Sequence, residues 1–123
     1  MADVLTNVGE EWAASRLVAS GSLNIAATHG GFGTDATAAA KGDTALGVEV
    51  ETRGAVTASL TGSGATAKAQ YVWTNTATAT RAIVEAGLFS ASSAGSMFTS
   101  HNFTVINLAS GDAIQFTLTI DPA

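Results

Sequence analysis

Residues 113–120 read AIQFTLTI, and every second side chain, Ile114, Phe116, Leu118 and Ile120, is large and apolar. Gln115, Thr117 and Thr119 stand between them. An extended strand points successive side chains to opposite faces, so this stretch can bury one face and wet the other. A helix would spread the same residues around its circumference. The alternation recurs upstream. Val56, Ala58 and Leu60 alternate with Thr57, Ser59 and Thr61, and Ala67, Ala69, Tyr71 and Trp73 alternate with Lys68, Gln70, Val72 and Thr74. Between these two runs lies TGSGA (61–65), whose glycines accept the positive φ of a tight turn. Residues 56–74 are therefore expected to form an antiparallel hairpin.

Two further strands are expected in RAIVEAGLFSA (81–91) and SMFTSHNFTVI (96–106), turning at Ser93–Gly95. NLASGD (107–112) turns into the last strand. Shorter strands are expected at 22–28, where Leu23 and Ile25 alternate, and at 46–51. The intervening HGGFGTDATAAAKGDTA (29–45) is rich in Gly, Ala and Thr without clear period and reads as a long loop, with one helical turn possible in TDATAAAK. Residues 7–20 read as a short helix. Thr6 or Asn7 caps its N-terminus, Glu10 and Glu11 lie in a first turn that favours negative charge, and Gly21 is the expected stop. Val8, Trp12 and Ala19 share one face, and Gly9 weakens the segment.

Seven or eight short strands with Gly/Ser/Asn turns define an all-β class: an antiparallel β-sandwich or jelly-roll-like body with a short N-terminal helix. The expected organisation is an N-terminal arm and helix over 1–21 and a β-sandwich domain over 22–123. At 123 residues the chain suits one domain. No internal repeat of fixed period is present.

Composition narrows the function classes. Charged residues are 12% of the chain, against roughly 25% in an average globular protein. A surface of Thr, Ser, Ala and Gly repels neighbouring protein weakly and suits a molecule packed against others. The formal net charge is −5, and the five basic residues, Arg16, Lys41, Arg53, Lys68 and Arg81, are scattered. That distribution offers no stripe for a nucleic-acid backbone, so no nucleic-acid partner is expected. Cysteine is absent, which removes disulfides and thiolate metal sites. The N-terminal MADVLTNVGEEW lacks the basic and apolar regions of a secretory signal, and no run approaches the ~18 apolar residues of a membrane span. A soluble protein made in a cytoplasm, with no membrane partner, is expected.

Chemical motifs are weak. His29 and His101 make no HxH or HExxH pattern, and Asp35 and Asp43 bracket a loop without the clustered oxygens calcium needs. GFGTDA (31–36) echoes a dinucleotide-binding glycine loop, but no βαβ unit surrounds it and a glycine turn is expected. No GxSxG elbow occurs. No catalytic residue, cofactor or metal is therefore assigned. Glu85 stands out because it lies within the apolar run AIVEAGLF. If Ile83 faces the core, period two puts Glu85 on the same side, and a buried carboxylate needs a partner. The expected arrangement is a structural ion pair of Glu85 with Arg53 or Arg81, with backbone amides as the other source of donors. Both faces of this strand carry apolar residues, so it should be covered on both sides, by a second sheet and by either the helix or a neighbouring subunit. Trp12, Phe32, Phe98 and Phe103, with Ser92 and Ser93 in the 90–96 tip, are the candidate interface residues; core packing is the ordinary fate of such aromatics.

The order of several motifs resembles a family. Gly33-Thr34, Asp43-Thr44-Ala45-Leu46, Glu49, Arg53, Glu85-Ala86-Gly87-Leu88-Phe89 and Gly111-Asp112-Ala113-Ile114-Gln115-Phe116 follow one another over residues 29–121. This series resembles short structural proteins encoded in tailed-bacteriophage virion modules. The resemblance implies a non-enzymatic virion component: a capsid cement or decoration protein, made in the bacterial host cytoplasm, sitting on the capsid surface as a homotrimer bound to the major capsid protein. The other location it implies is the tail, as a fibre or baseplate protein that binds a host glycan or other tail proteins. Within that reading, the Ala/Ser/Gly tip between the strands at 82–103 is expected to be a pliable contact for the shell or a sister subunit.

Overall fold

The computed structural model describes residues 3–120. The chain forms β1 (Asp3–Leu5), α1 (Asn7–Val18), β2 (His29–Gly33), β3 (Glu49–Ala55), β4 (Thr57–Thr61), a 3₁₀ turn (Gly64–Thr66), β5 (Lys68–Thr76), β6 (Arg81–Phe89), β7 (Met97–Leu108) and β8 (Ala113–Ile120). The strands make two antiparallel sheets, ordered β1-β7-β6-β2-β3 and β4-β5-β8. The all-β, two-layer class read from the alternation is the class the chain adopts. The chain passes from the larger sheet to the smaller one between Ala55 and Thr57, where the Val56 amide donates to Thr28 O at 2.9 Å.

Aromatic side chains fill the space between the sheets. Trp73 on β5 stacks on Phe116 on β8 with centroids 5.4 Å apart, and Phe116 meets Phe32 on β2 edge-on at 6.2 Å. Ile83 and Leu108 join Phe32, while Ala86 and Leu88 join Trp73. The 113–120 alternation is realised as read: Ile114, Phe116, Leu118 and Ile120 are half-buried and the residues between them exposed.

The helix starts as its sequence directs. The Thr6 hydroxyl oxygen accepts the Gly9 amide at 2.9 Å, and the hydroxyl donates to Met97 O at 2.7 Å, so the cap also fixes the helix to β7. The helix ends at Val18, earlier than Gly21, with Ala19 in the left-handed conformation at φ 51° and its amide turned back to Arg16 O. Gly9, a weak helix former, is needed for proximity: a Cβ there would lie 1.9 Å from Phe98 O. Trp12 stacks on Phe98 with centroids 4.4 Å apart, and its indole N–H donates to Ile25 O at 2.8 Å. The segment expected as an arm is thus built into the body, with β1 paired to β7 and the helix lying on that strand.

Four local expectations fail. SLNIAAT is irregular rather than a strand, since its backbone carries the carbonyl that receives the Trp12 indole. TDATAAAK makes no helical turn; Asp35 instead accepts from the amide and hydroxyl of Thr37. HGGFG, expected within a loop and as a glycine turn, is β2, paired on both sides by β3 and β6. Its glycines serve close packing: a Cβ on Gly30 would lie 2.1 Å from the Trp73 ring. The strand expected at 46–51 begins later, at Glu49, because Leu46 is drawn off to pack on Phe89 and Met97.

Candidate functional site

Glu49, Arg53 and Glu85 of the motif series act on the outer face of the larger sheet, whereas Ala86, Leu88 and Phe116 pack between the sheets. What turns Glu85 toward the outer face is a break in the pairing of β6 with β7. Ile83 pairs with Ile106 of β7, but Glu85 pairs with Asn102, so the register shifts between them. Two steps along β6 are matched by four along β7, and this irregularity breaks the inside–outside alternation across it. Ile83 therefore packs inward on Phe32, whereas Glu85, two residues on, points to the opposite face. Downstream the new parity holds: Ala86 and Leu88 face the other sheet, and Phe89 meets Leu46 on the outer side.

Glu85 is 4% exposed, and its carboxylate accepts three backbone amides: Asp35 at 3.0 Å, Gly47 at 3.0 Å and Val48 at 2.9 Å. It pairs with neither arginine, which corrects the expected ion pair. The donors lie at the two ends of the 34–48 loop, which leaves β2 and returns as β3. This loop folds back over the sheet as a third layer. Asn102, the neighbour of Glu85 across the strands, holds its middle: Oδ1 accepts the Ala39 amide at 2.5 Å and Nδ2 donates to Thr37 O at 3.1 Å. The Asn7 amide donates to Lys41 O at 2.7 Å, and Lys41 pairs with Glu10 on the helix. The strand is covered on both faces as expected, but the outer cover is this loop.

The arginines serve other carboxylates. Arg53 makes a two-pronged pair with Glu49 at 2.7 and 3.0 Å, lies 3.5 Å over the Phe89 ring, and donates to Ala91 O and Ala94 O. The 90–96 tip is therefore tied down rather than pliable. Ser90 adds two bonds across its base, to the amide and the carbonyl of Ser96. Arg81 donates to Glu51 at 3.0 Å, and Glu51 also accepts the amide and hydroxyl of Thr78, both at 2.8 Å. These donors, the Thr78 amide first, bring the Glu51 carboxyl down to about 2. The Thr37 amide and hydroxyl likewise lower Asp35.

The candidate interface residues separate into two groups. Trp12, Phe32 and Phe98 are buried within the chain and offer no surface, because helix capping and the Gly30 and Gly9 contacts draw the elements over them. Ser92 and Ser93 are exposed at the tip, and Phe103 is half-buried. Phe103 lines a groove of about 470 Å³ along the open side of the two-sheet body, between β1 and β7 on one side and β8 on the other. Val4, Leu5, Phe116, Leu118 and Ile120 supply its apolar wall, and among the described residues no Asp, Glu, Lys or Arg lines it.

A smaller cavity of about 80 Å³ lies under the 34–48 loop, lined in part by Asp35, Asp43 and Glu85. Its carboxylates have donors within the chain, since Asp43 accepts the Ala40 amide. Among the described residues no group of three or more His, Cys, Asp or Glu is arranged to hold a metal. His29 bonds to Thr28 and His101 to Thr99 through their side-chain oxygens. No described helix is long and apolar enough to cross a membrane.

Compared with known proteins, the chain matches no family model, no curated protein and no solved structure. Sequence reasoning missed Asn102 and Asn75. Asn75 is buried on β5; it accepts the Trp73 indole N–H at 3.0 Å and donates to Gly30 O and Thr52 O at 3.2 Å, joining the two sheets. A polar residue in a strand carries no signal of this role until the opposite sheet is in place.

Proposed function

We propose that the protein is a tailed-bacteriophage capsid cement or decoration protein: a non-enzymatic homotrimer that binds the major capsid protein on the outer shell and stabilises capsomer junctions. One observation carries the reading. Glu49, Arg53 and Glu85, three of the charged residues of the motif series, turn inward to clamp the loop layer and the tip. Their role is architectural, which suits a scaffold that works through its surface. That surface is largely neutral, and it exposes Ser92, Ser93, Leu60 and Val105. A protein that binds only the expanded lattice adds interface free energy at every junction and so shifts the shell toward that state.

The test is to mix the purified protein with expanded shells lacking it and image them by cryo-electron microscopy. The expected result is ordered density at lattice axes, together with slower thermal disruption of the shells. Replacing Ser92 and Ser93 by arginine should lower occupancy without altering the circular dichroism spectrum, since both residues are exposed. Antibody label found on tails, with bare shells, overturns the capsid location and points to a tail protein.

A further inference from the structure

Sheets with free edges invite pairing with other chains, and proteins usually blunt them with charge, bulges or shortness. The larger sheet here follows that practice. Its edge strand β1 has three residues, and its other edge β3 carries Glu49, Glu51 and Arg53, with a register break opposite Gly30 and Phe32. The smaller sheet does not. Its edges are β4, TASLT, and β8, AIQFTLTI, and neither contains a charged residue or a proline. Eight residues of β8 present their outer edge without a partner among the described residues.

The two edges are unlike and complementary. On the core side of β8 runs the apolar groove of about 470 Å³. A strand added to β8 would direct every second side chain into it. On the core side of β4 stands Leu60, in the row Leu60–Ala69–Ile120 across the sheet, and it is 76% exposed because nothing of the larger sheet reaches beneath it. One edge therefore lacks a neighbour to fill its groove, and the other carries an apolar side chain with no groove to enter.

We infer that β4 of one copy adds to the β8 edge of a second copy, extending the small sheet between subunits and placing Leu60 in the groove beside Phe116, Leu118 and Ile120. The occupant is a second copy because the chain itself holds a short uncharged strand with an uncovered leucine on the required face. Neither strand brings a like charge to the contact. A contact between two different edges is head-to-tail, and such contacts close into rings when the rotation permits, as in the trimer proposed above. The inference concerns how copies join and holds whatever particle the protein serves, so it fails or stands apart from the capsid location.

The absence of cysteine allows a direct test on the whole chain. Leu60→Cys is mixed with Leu118→Cys or with Ile120→Cys and oxidised. Within one chain Leu60 and Ile120 are two strands apart, roughly 9–10 Å, and Leu118 lies farther along, so both are too far for a disulfide. The expected result is mixed disulfides between the two variants in at least tenfold excess over like pairs, and a Leu60→Lys chain that sediments as a monomer where the unmodified chain is an oligomer. Leu60 is exposed, so the lysine should leave the fold intact, and circular dichroism checks this. A chain that is monomeric at every concentration overturns the inference. So does an oligomer that keeps its mass with Leu60→Lys, or Leu118→Cys pairing only with itself.

Discussion

Glu85 and Asn102 sit opposite each other on β6 and β7, and together they hold both ends and the middle of the 34–48 loop. The glutamate receives Asp35, Gly47 and Val48; the asparagine receives Ala39 and donates to Thr37. The three amides supply the hydrogen-bond donors that a buried carboxylate needs, in the place an arginine would otherwise fill.

Removing that carboxylate should release the loop. Glu85→Ala leaves three amides without their acceptor and is expected to cost about 3 kcal/mol or more, with Glu85→Gln costing about 1–2 kcal/mol. Asn102→Ala should cost about 1–2 kcal/mol. Because both residues hold one loop, the double variant should lose less than the sum of the two. Urea denaturation of the four chains measures this, and strict additivity would show that the two contacts are independent.

Asn75 joins the sheets through the Trp73 indole N–H and the carbonyls of Gly30 and Thr52. Asn75→Ala strands the buried Trp73 indole N–H and takes one donor from each of two carbonyls, and it should lower stability by about 2–4 kcal/mol. Asn75→Asp should be worse at neutral pH, where a carboxylate would face Gly30 O and Thr52 O, and should recover as acid protonates it. Denaturant midpoints at pH 7 and pH 4 give both comparisons.

Acid should act through Glu51. Its folded pKa, about 2, lies below the ordinary value of 4.5. A lowered folded value means the contribution is present in full above about pH 4.5 and is lost as pH falls toward 2. The melting temperature should therefore decline across that window, and Glu51→Gln should flatten this part of the decline. An unchanged slope in the variant would assign the acid sensitivity elsewhere. Glu51 also holds φ at 67°, so its side-chain bonds keep a backbone conformation that L-residues rarely adopt.

Arg53 should control the 90–96 tip. A lysine cannot reproduce the forked pair with Glu49, the stacking on Phe89 and the bonds to Ala91 O and Ala94 O together. Arg53→Lys is expected to raise amide hydrogen exchange and protease cleavage at 90–96 by tenfold or more, with the Lys68–Thr76 strand unaffected. Equal protection in both chains would show that the Ser90–Ser96 bonds suffice.

Much of the fold is legible in the chain because its strands carry their own period. The hairpin over 56–74, the alternation of 113–120 and the Thr6 cap all rest on contacts or spacings between near neighbours. The burial of Glu85 is legible too, as a carboxylate in an apolar run. Its face is not, because the alternation of β6 changes at the break in its pairing with β7 after Ile83. The strand HGGFG is invisible to periodicity, since glycine has no side chain to alternate; its position follows from Trp73 needing room above Gly30. Trp12, Phe32 and Phe98 look the same in sequence whether they face a partner or the interior, and packing of the helix and sheets resolves them.

By itself, the order of residues determined which segments extend, where they turn, and that little charge would be left outside, because those properties depend on local spacing and composition. Tertiary structure alone decided which way Glu85 points, that amides rather than arginines receive it, and which sheet keeps uncharged open edges. Those outcomes depend on register and on groups tens of residues apart, and a one-residue shift in pairing reverses them.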